Sequence, residues 1–145
     1  MYRKIVLAYD GSEAGQRALL DCQEIGQWSQ AELTLVAVMP YPMAAVAAEA
    51  FAYNPDEEAV ERARYQQVLD AGVARLNQAG LRVSGQVVTG HSVDEIVRVA
   101  QATDADLIVV GHKHLKSWSE RWWQGSVSKA LIEVAPCSVL VVISH

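Results

Sequence analysis

The stretch LIVVGHKHLKSWSERWWQGSVS, residues 107–128, decides the fold. Its first four residues, Leu107–Val110, form a continuous apolar run that predicts a buried strand ending at Gly111. A cationic connection without glycine follows, and the small residues 125–128 (GSVS) then open a helix. A strand, a loop and a small-residue helix start are typical of anion or nucleotide sites in open α/β sheets, because a helix start offers unpaired N–H groups and a positive dipole end.

On the N-terminal side of this stretch, and again after it, apolar strands alternate with amphipathic helices. The pattern predicts strands at residues 5–9, 33–39, 83–88, 107–110 and 138–143. It predicts helices from Ser12 to about Gly26, from Asp56 to about Ala79, from Ser92, and over residues 126–134. This alternation indicates one α/β domain over residues 1–145, with an open, mostly parallel five-stranded sheet and helices on both faces.

Three local signals mark helix ends. Ser12 is a natural N-cap for the first helix, and Gly80 is a natural residue to end the second. The segment from Ser92 to Glu95 reads as a capping box, in which a serine N-cap is followed three residues later by glutamate.

Composition excludes several classes of partner and location. The chain has 145 residues, a formal net charge of −5 and a pI near 5.3, so no general attraction to nucleic acid or to an anionic membrane is expected. No apolar run approaches the roughly 18–20 residues of a membrane helix, and nothing resembles a signal peptide. Cys22 and Cys137 lie in apolar contexts and are expected to be buried thiols, which predicts a reducing, cytoplasmic location.

The segment Pro40–Asn54 is a longer, alanine-rich connection where a short one would suffice. Two interpretations remain open for it. It is either a short helix or loop packed on its own subunit, or a cover over a ligand or a partner contact.

The predicted site lies where the first and fourth strands end. Because ligands bind beyond the carboxyl ends of such strands, Asp10, Gly11 and Ser12 should converge with Gly111 and the connection that follows it. Asp10 has two possible roles here. Its carboxylate either accepts hydrogen bonds from ribose hydroxyls or the base, or caps the first helix together with Ser12.

Four segments carry a family resemblance: IVLAYDGSEAGQRAL, GHSVDEIVRVA, ADLIVVGH and GSVSKALIEVAPCSVLVV, at residues 5–19, 90–100, 105–112 and 125–142. In their order they resemble the universal stress protein family over nearly the whole chain. The resemblance implies a Rossmann-like α/β fold of the adenine nucleotide alpha hydrolase type, with strand order 3-2-1-4-5. It also implies a dimer, and in some members of the family a bound ATP or AMP.

The chain departs from the glycine pattern of the nucleotide-binding members, in which two residues separate a first glycine from a second and nine more precede a glycine with serine or threonine. Gly111 matches the first glycine and Gly125-Ser126 the last pair, but His114 replaces the middle glycine and the loop is one residue longer. A histidine there restricts positive φ and close backbone approach to phosphate. The cations of the connection either replace the lost backbone contacts or form a solvated surface; they are His112, Lys113, His114, Lys116 and Arg121.

The resemblance also implies site residues. Ala8, Asp10 and Val38 would surround adenine and ribose. The phosphates would be surrounded by Gly111, Lys113, His114, Gly125, Ser126, Val127 and Ser128. Trp118, Trp122 and Trp123 of the connection are expected either to pin it to the domain or to stack on a base or partner.

The function that follows is a cytoplasmic stress-response protein that binds ATP or AMP, with or without Mg²⁺, and does not catalyse a fast reaction. It would form a homodimer through the apolar last strand, Val139–Val142, which otherwise leaves an exposed edge. The alternative is a nucleotide-free protein-interaction module of the same family. An enzyme ranks last, because no general base or metal-binding pair of acids can be identified.

Overall fold

A computed structural model describes residues 1–41, 54–113 and 126–144, with Ser126 described for its backbone alone. His114, Gly125 and the three tryptophans of the connection lie outside the described residues. Most of the Pro40–Asn54 segment lies outside them too, so neither interpretation of that segment is tested.

Five strands alternate with four helices along the described chain. The strands are β1 (Lys4–Ala8), β2 (Glu32–Met39), β3 (Arg82–Thr89), β4 (Leu107–Lys113) and β5 (Ser138–Ser144). The helices are α1 (Glu13–Ser29), α2 (Pro55–Gln78), α3 (Ser92–Ala102) and α4 (Ser126–Val134). Every strand and helix expected from the pattern is present, within a few residues of its expected bounds.

The strands form one parallel sheet in the order β3-β2-β1-β4-β5. The expected fold and strand order are therefore confirmed, with β1 at the centre between β2 and β4. Ile5 is in register with Leu33 on one side and with Leu107 on the other, so the apolar run of β1 is covered by neighbours along its length. In such a sheet all carboxyl ends lie at one edge, and this edge is where the site forms.

Two apolar layers cover the two faces of the sheet. On one face, Leu7, Leu35 and Val109 pack with Leu19 of α1 and Leu69 of α2. On the other face the packing partners come from α3 and α4, and the buried residues are Val6, Val36, Ile96, Val99, Ala100, Ile108, Val110 and Leu131. Strand residues alternate between the two layers, which is why the strands read as continuous apolar runs.

The two thiols are covered to different degrees. Cys22 is fully buried, and burial raises the pKa of its thiol to about 12, with the negative charge of Asp21 adding to the effect. Cys137 is half-buried, and its pKa is raised first by burial and then by Asp106. The expectation of a buried thiol therefore holds fully for Cys22 and in part for Cys137.

The helix ends confirm two of the three local signals. The Ser12 side chain caps α1, and Gly80 follows α2 with a φ of +86°, a conformation that favours glycine. The capping box at Ser92 was a wrong prediction. The N-cap of α3 is His91, whose side chain makes no capping bond, Ser92 is the first helical residue, and Glu95 Oε2 pairs with Arg98 at 2.7 Å.

Strand β4 is longer than the sequence pattern predicted. It does not end at Gly111 but continues to Lys113, because residues 111–113 pair with Val142, Ile143 and Ser144 of β5. His112 and Lys113 are thus strand residues at the carboxyl edge of the sheet. Within the described residues no helix combines the length and the apolar character that crossing a membrane requires.

Candidate nucleotide-binding cleft

A cleft of about 690 Å³ lies at the carboxyl edge of the sheet. It is bounded by the ends of β1, β2 and β4 and by the first turns of α1, α3 and α4. The sequence-predicted residues that it brings together are Ala8, Asp10, Val38, Gly111, Lys113, Val127 and Ser128. Of the others, Ser126 begins α4, and His114 and Gly125 lie outside the described residues.

Other lining residues are not among the site residues that the resemblance implies, although Ser12 was expected to converge on the site and His112 belongs to the predicted cationic connection. They are Tyr9, Ser12, Glu13, Ala14, Gly15, Val36, Pro40, Tyr65, Ser92, Ile96, Val110 and His112. Those next to Asp10 or Gly111 follow from the same strand ends. For Tyr65 and Ser92 no sequence pattern indicated a place in the cleft, because that place depends on how α2 and α3 pack against the sheet.

One wall of the cleft is apolar. It combines Ala8 and Val38 at the ends of β1 and β2 with Ile96 of α3 and Val127 of α4, which all belong to the same packing layer. These four side chains are apolar, so this wall suits the flat apolar faces of a ring better than it suits a phosphate.

The turn from β1 to α1 is held by a closed set of hydrogen bonds. The backbone N–H of Ser12 donates to Asp10 Oδ1 at 2.9 Å, and the Ser12 hydroxyl donates to the same oxygen at 2.6 Å. The Ser12 hydroxyl in turn accepts from the N–H of Gly15 at 3.1 Å. One oxygen of Asp10 thus has the structural role, while its Oδ2 makes no hydrogen bond to the described residues. The two interpretations of Asp10 are therefore compatible.

Gly111 is held against the backbone of α1. A Cβ on this residue would overlap the carbonyl oxygen of Ala14 and lie 2.5 Å from its carbonyl carbon and 2.9 Å from the N–H nitrogen of Gly15. The glycine therefore allows β4 to approach the first turn of α1. The sequence interpretation assigned this glycine to phosphate contact alone, and the packing supplies an independent reason for it.

The positive groups of the cleft lie at its β4 end. Lys113 is exposed at the last position of β4, His112 precedes it, and the first turn of α4 lies nearby with Val127 and the buried Ser128. An α-helix start carries a partial positive charge and free N–H groups. This end of the cleft is consequently the one that suits an anion.

Two tyrosines from the α1 and α2 side also line the cleft. Burial raises the pKa of Tyr9, with Arg75 opposing and Asp10 adding to the effect. Its ring lies against Gly72 of α2, where a Cβ would come within 2.8 Å of the ring. Tyr65 lies one turn before Val68, which packs against the β1–α1 turn, so α2 presents this ring to the cleft.

The sequence model of the universal stress protein family matches residues 1–142. The chain belongs to this family. A universal stress protein of Methanocaldococcus jannaschii is 31% identical over 143 residues, which cover 98% of this chain and 82% of that relative.

Solved structures agree with this membership. The crystal structure of a universal stress protein family member from Burkholderia pseudomallei has a TM-score of 0.77 and 26% identity, and the match covers 97% of this chain and 96% of that one. A universal stress protein crystallised in complex with cAMP has a TM-score of 0.72 and 24% identity, with 99% and 98% coverage, and shows the shared fold.

In this universal stress protein the described part of the chain holds no group of three or more His, Cys, Asp or Glu side chains placed to bind a metal ion. The carboxylates that line the cleft are Asp10 and Glu13. Along the edge of the sheet the described cleft therefore offers apolar Val38 at the end of β2, the carboxylate of Asp10 after β1 and the cationic Lys113 at the end of β4.

Proposed function

We propose that this universal stress protein binds an adenine nucleotide, ATP or AMP, in the cleft at the carboxyl edge of its sheet. The observation that carries the proposal is the order of chemistries along the cleft. The apolar wall at Ala8 and Val38 fits the base, Asp10 Oδ2 fits ribose hydroxyls, and the β4–α4 end with Lys113 fits phosphate. The fold neighbour crystallised with cAMP supports the proposal, because it shows that this fold can hold an adenine nucleotide.

A nucleotide that carries Mg²⁺ also fits this arrangement. With no protein cluster of metal ligands among the described residues, the ion would be held mainly by the phosphate oxygens, and Asp10 and Glu13 are the nearest protein carboxylates on offer.

Two measurements test the binding. Mass spectrometry of freshly purified, denatured protein should detect AMP or ATP, and calorimetry of the nucleotide-free chain should show saturable binding of one of them. A chain that carries no nucleotide and shows no heat at millimolar AMP or ATP would contradict the proposal. The alternative, a nucleotide-free interaction module, would then be favoured, in keeping with the histidine that replaces the middle glycine at position 114.

We further propose that the bound nucleotide is sensed and not turned over, in the cytoplasm. The carboxylate best placed to act as a base, Asp10, already accepts two hydrogen bonds from Ser12 through one oxygen, so that oxygen is committed to the β1–α1 turn and not to a water molecule. Incubation with ATP and Mg²⁺ should release phosphate no faster than a no-protein control. Multiple turnovers per minute would assign the chain to an enzyme class.

The homodimer is proposed to form through β5. Among the described residues β5 pairs on one side only, with β4, and Ile143 is 49% exposed although it is large and apolar. The outer face of α4 adds exposed apolar residues, Ile132 and Val134. Pairing Val139–Val142 with the same strand of a second chain about a twofold axis would cover this edge.

Light scattering after size exclusion tests the dimer. The unaltered chain should have the mass of two subunits, and Ile143→Lys should have the mass of one, because the lysine places a charge in the exposed apolar surface of β5 that the second chain would cover. Val60→Lys on α2 is the matched control, since Val60 is also exposed but lies on a helix away from β5. A monomer at micromolar concentration in the unaltered chain would contradict the proposal.

A further inference from the structure

Ser92 is a polar residue of the cleft that the nucleotide-binding interpretation does not use. It is the first residue of α3 and lines the cleft together with Ile96, which lies one turn later on the same side of the helix. Its side chain is partly buried. It makes no hydrogen bond to any residue that the structure describes, whereas the hydroxyl of Ser12, at the start of α1, makes two.

The start of α3 also lacks a side-chain cap. Its N-cap, His91, makes no side-chain bond to the first N–H groups of the helix. The imidazole ring of His91 is edge-on to the ring of Tyr41, with the two ring centroids 6.2 Å apart. The N–H groups of the first helical turn have no acceptor within the helix. The cleft therefore has, at this point, hydrogen-bond donors of the backbone beside a hydroxyl that can either donate or accept.

The position of Ser92 and of the α3 N–H groups along the cleft places them where the base of a nucleotide would bind. The N–H of Gly90, two residues before Ser92, donates to the carbonyl of Met39 at 3.0 Å, which fixes the start of α3 beside the end of β2. Val38 lies at that end of the cleft, whereas Lys113 lies at the opposite, β4 end. Ser92 thus lies on the β2 side of the cleft, beside the apolar wall.

We propose that Ser92 determines base specificity, by accepting a hydrogen bond from the exocyclic amino group of a bound adenine. The edge of adenine presents this amino donor beside a ring-nitrogen acceptor. That pattern complements a serine oxygen beside the backbone donors of α3. Guanine and hypoxanthine carry a carbonyl oxygen and a ring N–H at the same positions, so their ring N–H would face backbone N–H groups, which leaves polar groups unpaired and disfavours those bases. The proposal rests on the proposed nucleotide binding and adds the group that reads the base.

The experiment compares two ligands on three chains by calorimetry. The ligands are AMP and purine riboside 5′-monophosphate, which lacks only the amino group. The unaltered chain should bind AMP about 3- to 10-fold more tightly than the amino-free analogue, the usual range for one neutral hydrogen bond. Ser92→Ala should lose that difference by weakening AMP alone, and Ser92→Thr, which keeps the hydroxyl, should restore most of it.

Ser84→Ala is the matched control, because Ser84 is an exposed serine of β3 that does not line the cleft. It should leave both affinities unchanged. Equal affinity of the unaltered chain for the two ligands, or an equal loss for both in Ser92→Ala, overturns the assignment to Ser92 while the nucleotide-binding function stands. Failure of the unaltered chain to bind AMP overturns the proposed function itself, and the role of Ser92 with it.

Discussion

Two strand-to-helix junctions at the edge of the cleft each have a serine near the start of the helix. The two serine hydroxyls differ in their hydrogen bonding. At the β1–α1 junction, Ser12 is the N-cap and its hydroxyl is bonded to Asp10 and Gly15. At the β3–α3 junction, Ser92 is one position further into its helix, and its hydroxyl has no partner among the described residues. Serine near a helix start thus serves the fold in one place and is available to a ligand in the other.

The residues around each serine explain the difference. Asp10 stands two residues before Ser12 and offers an acceptor oxygen to both its N–H and its hydroxyl. No carboxylate precedes Ser92 in that way, and Glu95, which would complete a capping box, forms an ion pair with Arg98. The lesson is that a polar side chain near a site is available to a ligand only where its neighbours have not already satisfied it.

The largest expected effect concerns how closely the β1–α1 junction is packed. Gly111→Ala should lower the free energy of unfolding by about 3 kcal/mol, because the added Cβ meets the backbone of α1, which cannot move like a side chain. Gly80→Ala is the control. Within the described part of the chain no further atom lies within 4 Å of its Cβ position, so only the φ of +86° disfavours alanine there, and the expected loss of unfolding free energy is about 1 kcal/mol.

Denaturant unfolding of the two variants measures both values. If Gly111→Ala were as stable as Gly80→Ala, the backbone at the β1–α1 junction would be able to shift at little cost to accommodate the added Cβ.

The next effect separates the two oxygens of Asp10. Asp10→Ala should lower the free energy of unfolding by about 2 kcal/mol, because Ser12 loses the acceptor of two hydrogen bonds. Asp10→Asn keeps a carbonyl oxygen for those bonds and should stay within about 0.5 kcal/mol of the unaltered chain. Both variants should bind AMP about tenfold or more weakly, because the ribose hydroxyls lose a charged hydrogen-bond acceptor.

Thermal melts beside calorimetry distinguish these outcomes. An Asn variant that binds AMP as tightly as the unaltered chain would confine Asp10 to the structural role. The β1–α1 junction would then contribute to the fold alone.

The fold was predictable because its signals are local or come from a resemblance that spans the chain. The continuous apolar runs predicted β1 and β2, and the strand order came from the family resemblance. The cleft was predictable where residues follow strand ends, as with Asp10 and Lys113. Three features depended on tertiary packing and were not predictable.

Each of those features has an identifiable cause. Strand β4 continues past Gly111 because β5 supplies partners as far as Ser144. Tyr65 reaches the cleft because α2 packs closely on the turn at Gly11, where a Cβ would lie 2.6 Å from Val68 Cγ1. Ser92 reaches the cleft because α3 packs on the sheet through Ile96, one turn later on the same side of the helix.

The smallest expected effect tests the comparison between the two serines most directly. Ser12→Ala should lower the free energy of unfolding by about 1 kcal/mol, the usual cost of removing an N-cap, since the N–H of Gly15 loses its acceptor. Ser92→Ala should stay within about 0.5 kcal/mol of the unaltered chain, or gain slightly, because alanine favours the helix and no described hydrogen bond is lost. Urea unfolding of both variants in the absence of nucleotide gives the two numbers under one condition. If Ser92→Ala lost as much stability as Ser12→Ala, its hydroxyl would already have a structural partner, and the β3–α3 junction would be as closed to a ligand as the β1–α1 junction.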